Sequence, residues 1–136
     1  MAANNSSITI KDLGIKALLE KKSENVKAID ISEISSFADI IVIASGSNIN
    51  QLHAMADELE EVLNHAGFRH ISYEGYDKAN WILLDYNDVI FHLFDKDSRE
   101  FYDLERLYRR TAADARGSAA PLNIQNRIRP VRRSDP

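Results

Sequence analysis

The sequence predicts an α/β fold: a mixed five-stranded sheet flanked by helices. Three stretches carry that expectation. Ile40, Ile41, Val42, Ile43 and Ala44 form an unbroken, mostly β-branched run, the pattern of a strand buried on both faces and therefore flanked by helices. Leu52, Met55, Ala56, Leu59, Val62 and Leu63 recur at helical spacing soon after it, which makes an amphipathic helix. From Trp81 to Tyr108 the chain reads as two apolar strands, a short polar connection, and a helix that begins almost without a loop.

Taken in order, a first helix is expected from Ile8 to about Lys22, with Ile10, Leu13, Ala17 and Leu18 on its apolar stripe and Thr9 with Asp12 at its amino-terminal cap. Val26 to Ile31 alternates only partly and fits an outer strand. Ile40 to Ala44 is the central strand. Asn48 and Gln51 stand at capping-box spacing ahead of the second helix, and Gly67 supplies its stop. Ile71 to Glu74 is a short strand and Gly75 to Ala79 a turn-rich connector. In the strand pair that follows, Trp81, Leu83 and Asp85 share one face and Ile82 and Leu84 the other, while Ile90, His92 and Phe94 oppose Val89, Phe91 and Leu93. Asp97, followed by Glu100, is expected to cap a third helix with Phe101, Leu104, Leu107 and Tyr108 turned inward and Tyr102, Glu105 and Arg109 on another side.

A chain of 136 residues with 44% hydrophobic content supports one domain with a sizeable core. The folded body is placed at residues 8–108, between a flexible amino terminus, 1–7, and a basic tail, 109–136. Cysteine is absent, so disulfides and thiolate metal sites are excluded and a reducing compartment is the natural setting. No signal-peptide pattern opens the chain, and no apolar run approaches the roughly 20 residues of a membrane span. A cytoplasmic protein without membrane contact is expected.

Charge is divided unevenly. Residues 1–108 hold ten Lys or Arg against nineteen Asp or Glu, a net of −9, whereas residues 109–136 hold seven Arg against two Asp, a net of +5. An acidic body repels a phosphate backbone and suits a basic protein surface. The tail has no aromatic residue and carries all three prolines, the composition of a solvated, disordered extension; a weak contact with RNA or another anionic surface is the other reading its charge allows.

No residue set volunteers for catalysis. Gly46 and Ser47, between a strand and a helix, resemble the glycine-serine turn of nucleotidyltransferases, where backbone donors hold a phosphate. Such enzymes also need two carboxylates on an adjacent strand, aimed the same way, to bind metal ions. Asp95 and Asp97 are the only pair with that spacing near a strand, and Asp97 is already assigned to a cap; Asp85 and Asp88 diverge across a turn. His53, His65, His70 and His92 lack metal-ligand spacing. No nucleophile elbow, Walker loop or dinucleotide fingerprint is present. What remains is tryptophan and tyrosine among acidic side chains, the composition of a protein-binding hot spot, against the plainer reading that Trp81 is core.

The runs SSFADIIVIASGSNINQLHAMADELE and GYDKANWILLDYNDVIFHLFDKDSREFYDLERLY closely resemble the ribosomal silencing factor family, also called RsfS or Iojap. The likeness covers about Ile8 to Tyr108. Its most specific parts are Ala79, Asn80, Trp81 and Ile82, and the stretch Ser98 to Glu105. The resemblance implies a nucleotidyltransferase-like fold without the catalytic carboxylates, no enzymatic activity and no cofactor. It implies a translational repressor that binds the large ribosomal subunit through its protein number fourteen and sterically blocks joining of the small subunit when nutrients are scarce. A homodimer is implied as well. Carried over residue by residue, the partner-binding positions are Glu74, Gly75, Trp81, Asp85, His92, Ser98, Tyr102 and Glu105. Trp81 and Tyr102 stand as apolar anchors, and Asp85 and Glu105 as partners for Lys or Arg. The family's terminal helix commonly ends in tryptophan where this chain has Tyr108. A metal-dependent nucleotidyltransferase or nucleotide-binding domain is the alternative.

Overall fold

The computed structural model describes residues 5–116. The elements are α1 (Asn5–Glu20), β1 (Glu24–Asp30), β2 (Ile40–Gly46), α2 (Ile49–His65), β3 (Ser72–Glu74), β4 (Trp81–Asp85), β5 (Val89–Asp95), α3 (Lys96–Tyr102) and α4 (Leu104–Arg116). The strands form one sheet in the order β1-β2-β5-β4-β3. β2 and β5 run parallel, and the other neighbours are antiparallel. The mixed five-stranded α/β sheet expected from the sequence is therefore what forms.

All seven residues of β2 are buried, because its two faces feed two cores. Ile40, Val42 and Ala44 join Ile82, Leu84, Phe91 and Leu93 in a first core, closed by Ile10 and Leu18 of α1 and by the Leu52–Leu63 stripe of α2. Ile41 and Ile43 join Trp81, Leu83, Ile90 and Phe94 in a second core. Strand periodicity alone thus sorted the residues of β4 and β5 correctly onto opposite faces. Gly14 marks the closest approach of α1 to the sheet: a Cβ there would overlap Cζ and Cε1 of Phe91 and stand 3.1 Å from Leu59 Cδ1.

Several boundaries differ from expectation. α1 begins at Asn5 rather than Ile8, so Thr9 lies inside the helix, its hydroxyl donating to the Asn5 carbonyl at 3.0 Å. Ser7 is buried and donates to Asp39 Oδ2 at 2.9 Å; the amino-terminal segment taken as flexible is in part the first turn of this helix. Asn48 caps α2 as expected, its Oδ1 accepting from the Gln51 amide at 2.8 Å. The Gln51 side chain returns to the Ser47 amide at 2.6 Å rather than to Asn48, and its Nε2 donates to the carbonyls of Lys21 and Lys22. Gly67, at φ 95°, follows α2 as the predicted stop. The connection between β1 and β2 supplies Ile31, Ile34 and Ala38 to the second core, a role its irregular sequence did not announce.

The largest difference is at the carboxyl-terminal end. Asp95, not Asp97, caps α3, its Oδ1 accepting from the Ser98 amide at 2.7 Å. The strand and helix meet with no intervening loop, which moves the cap two residues forward. The single expected helix is broken at Asp103, which adopts a left-handed conformation with φ 47°. Leu104 and Tyr108 of α4 reach the second core as predicted, but Phe101 and Leu107 are exposed. In an unbroken helix Phe101 would lie one turn before Leu104 on the same face; the kink takes it off that face. α4 continues past Tyr108 to Arg116; of the tail expected from residue 109, positions 117–136 lie outside the described residues. Among the described residues no helix is long and apolar enough to cross a membrane.

Candidate functional site

Directly paired residues of neighbouring strands share a face, and the register therefore lays out the second face of the sheet in rows. Glu74, Leu83, His92, Ile43 and Lys27 form one row from β3 to β1, and Trp81, Phe94 and Ser45 form the next. α3 leaves β5 at the end of this second row, bringing Tyr102 back over it.

Trp81 is buried, with 7% of its surface accessible, and His92 is fully enclosed. The indole Nε1–H donates to His92 Nδ1 at 3.0 Å, so His92 accepts there and, as a neutral ring, carries its proton on Nε2. The Tyr102 ring lies 4.6 Å from that of Trp81 and 6.1 Å from that of Phe94, centre to centre. Its own exposure is 42%. Phe101 meets Tyr102 edge-on at 5.1 Å and is 81% exposed. The result is a layered aromatic stack with Trp81, Phe94 and His92 beneath, Tyr102 above them, and Phe101 outermost.

This arrangement buries three of the expected contact residues. Trp81 and His92 form the floor beneath Tyr102, because α3 brings that ring across the indole. Asp85 is buried at the opposite end of β4, where its Oδ1 accepts from the Asn87 amide at 2.8 Å and closes the hairpin turn. That carboxylate serves the turn.

The remaining expected residues are distributed differently. Ser98 is half-buried in the first turn of α3, held through its amide by Asp95. Glu74 is half-buried on the edge strand, accepting from the Ser72 hydroxyl at 2.8 Å. Gly75, at φ 81°, turns the chain out of β3, a conformation that costs glycine little and other residues more. Glu105 Oε1 accepts from Arg99 Nε at 3.0 Å, and its other oxygen lies 3.7 Å from Lys27 Nζ. Burial alone pushes this carboxyl up, but the Arg99 hydrogen bond and charge, with Lys27 and Arg109, outweigh it and hold Glu105 below the usual glutamate range. The structure thus brings Trp81, His92 and Tyr102 together, sets Glu105 beside the same helix pair, and leaves Asp85, Glu74 and Gly75 apart.

Two residues of this region were not singled out by sequence. Helical period assigns Phe101 to the core, and nothing in the sequence gives Arg99 a role. Asp103, in the left-handed conformation that aspartate tolerates better than most residues, is the local signal that separates Phe101 from Leu104.

The cleft at the ends of β2 and β5, lined by Ser47, Asn48, Lys78, Asn80, Asp95 and Asp97 among others, is where a phosphate-holding Gly-Ser turn would act. Gly46 is explained by packing instead: a Cβ there would come within 3.0 Å of Met55 Sδ and 3.1 Å of Leu52 Cγ. One carboxylate of the candidate pair, Asp95, is occupied as the cap of α3.

Fold and site together define an α/β protein with a mixed five-stranded sheet, bearing an aromatic patch on a short helix at one end. The chain belongs to the ribosomal silencing factor (RsfS/Iojap) family: the family model described as "Ribosomal silencing factor during starvation" matches residues 4–135, a span that also takes in the basic tail. It is 38% identical over 103 residues to the ribosomal silencing factor RsfS of Halalkalibacterium halodurans, covering 76% of this chain and 88% of that protein. It is 28% identical over 100 residues to the mouse protein named mitochondrial assembly of ribosomal large subunit protein 1, covering 71% of this chain and 44% of that one. Among solved structures, the X-ray crystal structure of a Chromobacterium violaceum protein superposes with a TM-score of 0.73 at 30% identity, covering 74% of this chain and 84% of that one.

Proposed function

We propose that this protein represses translation by docking on the large ribosomal subunit through its protein number fourteen and sterically blocking the small subunit, so that translation falls when nutrients are limiting. The observation that carries this reading is the aromatic stack on α3. Phe101 projects into solvent beside Tyr102, whose ring is braced from below by Trp81 and Phe94. A rigid aromatic group on a fixed support loses little entropy on binding and is the usual centre of a protein-protein hot spot. Asp97 and Glu100, both exposed on the same helix, form an acidic rim. With the acidic balance of residues 1–108 they favour encounter with a basic protein surface.

Family membership supports a role at the ribosome, and the name of the mouse relative points to the large subunit. The mechanism requires no bond chemistry and no cofactor, only occupation of a surface. Self-association into a homodimer would draw on the same exposed apolar groups, and the basic tail would add a weak contact to ribosomal RNA.

The test is subunit joining. Purified large subunits are incubated with the protein, small subunits are added, and the mixture is resolved on a sucrose gradient. The expected result is persistence of free subunits with the parent and restored joining with Phe101→Glu, a substitution at a surface position that leaves the core intact. Unimpaired joining at saturating parent protein refutes the proposal.

A further inference from the structure

The break at Asp103 leaves α3 as a seven-residue helix with no buried side chain of its own. Core burial therefore does not hold it against the sheet. It is anchored at its start by the Asp95 cap and at its end by Tyr102 on Trp81. Between these points stands Arg99, whose side chain is only 11% exposed.

The guanidinium of Arg99 makes a three-way connection. Its Nε donates to Glu105 Oε1 at 3.0 Å, and its Nη1 donates to Ser45 Oγ at 2.8 Å and to the Glu24 carbonyl at 3.5 Å. One side chain thus joins α3 to the first turn of α4, the end of β2 and the start of β1. The Glu24 carbonyl lies beside an irregularity in β1, where the register shifts between Glu24 and Lys27 and Asn25 takes φ 50°. Lys27, on the far side of that irregularity, holds the second oxygen of Glu105. A lysine at position 99 could not reproduce this arrangement, because an ammonium is a point donor whereas the guanidinium offers a rigid planar fork.

We propose that Arg99 is the positioning residue of the docking surface. It holds α3 at the angle at which Tyr102 covers Trp81 and Phe101 faces outward, and Glu105 serves as its internal partner rather than as a contact to the docked protein. Glu105 therefore acts on docking only through Arg99. The proposal rests on the docking reading above for its consequence at the ribosome, but its structural part stands by itself.

The experiment combines a double-mutant cycle with an internal reporter. Trp81 is the sole tryptophan of the chain, and its fluorescence and accessibility to acrylamide read directly whether Tyr102 still covers it. Arg99→Gln is expected to raise the quenching constant of Trp81 at least twofold and to weaken binding to purified large subunits about tenfold, the change associated with losing a charge-assisted contact. Glu105→Gln alone is expected to move both readouts in the same direction. Added to Arg99→Gln, it should cost less than a further factor of about two, because residues acting through one another are not additive.

Additive losses of binding would place Glu105 in direct contact with the partner and overturn the proposal. So would unchanged quenching of Trp81 in Arg99→Gln. Should Arg99→Gln not fold, Glu105→Gln carries the quenching measurement, and unchanged quenching there has the same force. If the parent protein fails to bind large subunits, the docking reading falls while the quenching results still decide whether Arg99 holds α3.

Discussion

Replacing Tyr102 by alanine separates the two roles of the aromatic stack. In the fold, the ring covers Trp81 at 4.6 Å and Phe94 at 6.1 Å while 42% of the residue stays in water. A tyrosine of this exposure removes on the order of 100 Å² from solvent, which at about 25 cal/mol per Å² corresponds to roughly 2–3 kcal/mol. The part lost on truncation to alanine is therefore about 2 kcal/mol, enough to lower Tm by several degrees but not to unfold a domain of typical stability. At a docking hot spot the same truncation costs at least about 2 kcal/mol more, close to a thirtyfold rise in Kd. Binding to purified large subunits, titrated by co-sedimentation at a temperature where the variant remains folded, measures the second quantity; thermal unfolding measures the first. A Kd within about threefold of the parent, in a variant whose Tm has fallen as expected, would show that the ring braces the fold without meeting the partner.

Two further outcomes follow from the packing and electrostatics. Gly14→Ala gains about 1 kcal/mol of helix propensity, but its methyl group would overlap the buried Phe91 ring and press on Leu59 Cδ1 at 3.1 Å. Overpacking of a rigid core costs about 1–3 kcal/mol, so the net change is destabilising, and a rise in Tm would refute the close approach of α1 to the sheet. Against the opposing effect of burial, Arg99 and Lys27 hold the folded-state pKa of Glu105 below the usual glutamate value, so Glu105 binds protons more weakly folded than unfolded. Its stabilising contribution is present above the unfolded-state pKa and is lost as pH falls through the lower folded value. The difference in unfolding free energy between the parent and Glu105→Gln should accordingly shrink on acidification from neutral pH to about pH 3. A difference that stays constant over that range would contradict the Arg99 pairing.

The strands and the first two helices were legible because their signals are local. The run Ile40 to Ala44 demands two covering layers whatever surrounds it, and Asn48 meets its amide donor within three residues. The alternation within β4 and within β5 correctly separated Trp81 from Ile82 and His92 from Phe91, and the register then sets Trp81, His92 and Phe94 on one face. Whether that face met water depended on what lay across it, and strand period carries no information about that. Sequence therefore left Trp81 open between anchor and core, and only the fold shows Tyr102 lying across it. Phe101 appeared as core for a related reason: helical period was extended through Asp103, where the backbone turns left-handed.

By itself the sequence determined the mixed α/β sheet, the division of its strand residues between two faces, the family, and the stretch from Trp81 to Glu105 as the place to look. Each follows from chain-local chemistry: side-chain period, turn and cap residues, and motif order. Only the tertiary structure decided which aromatic ring is floor and which is surface, and that Arg99 connects two helices and two strands separated by as many as 75 positions in the chain. Such contacts arise where elements distant in sequence are packed together, and the direction of α3, which decides them, is set by one backbone angle and a guanidinium reaching across the sheet end.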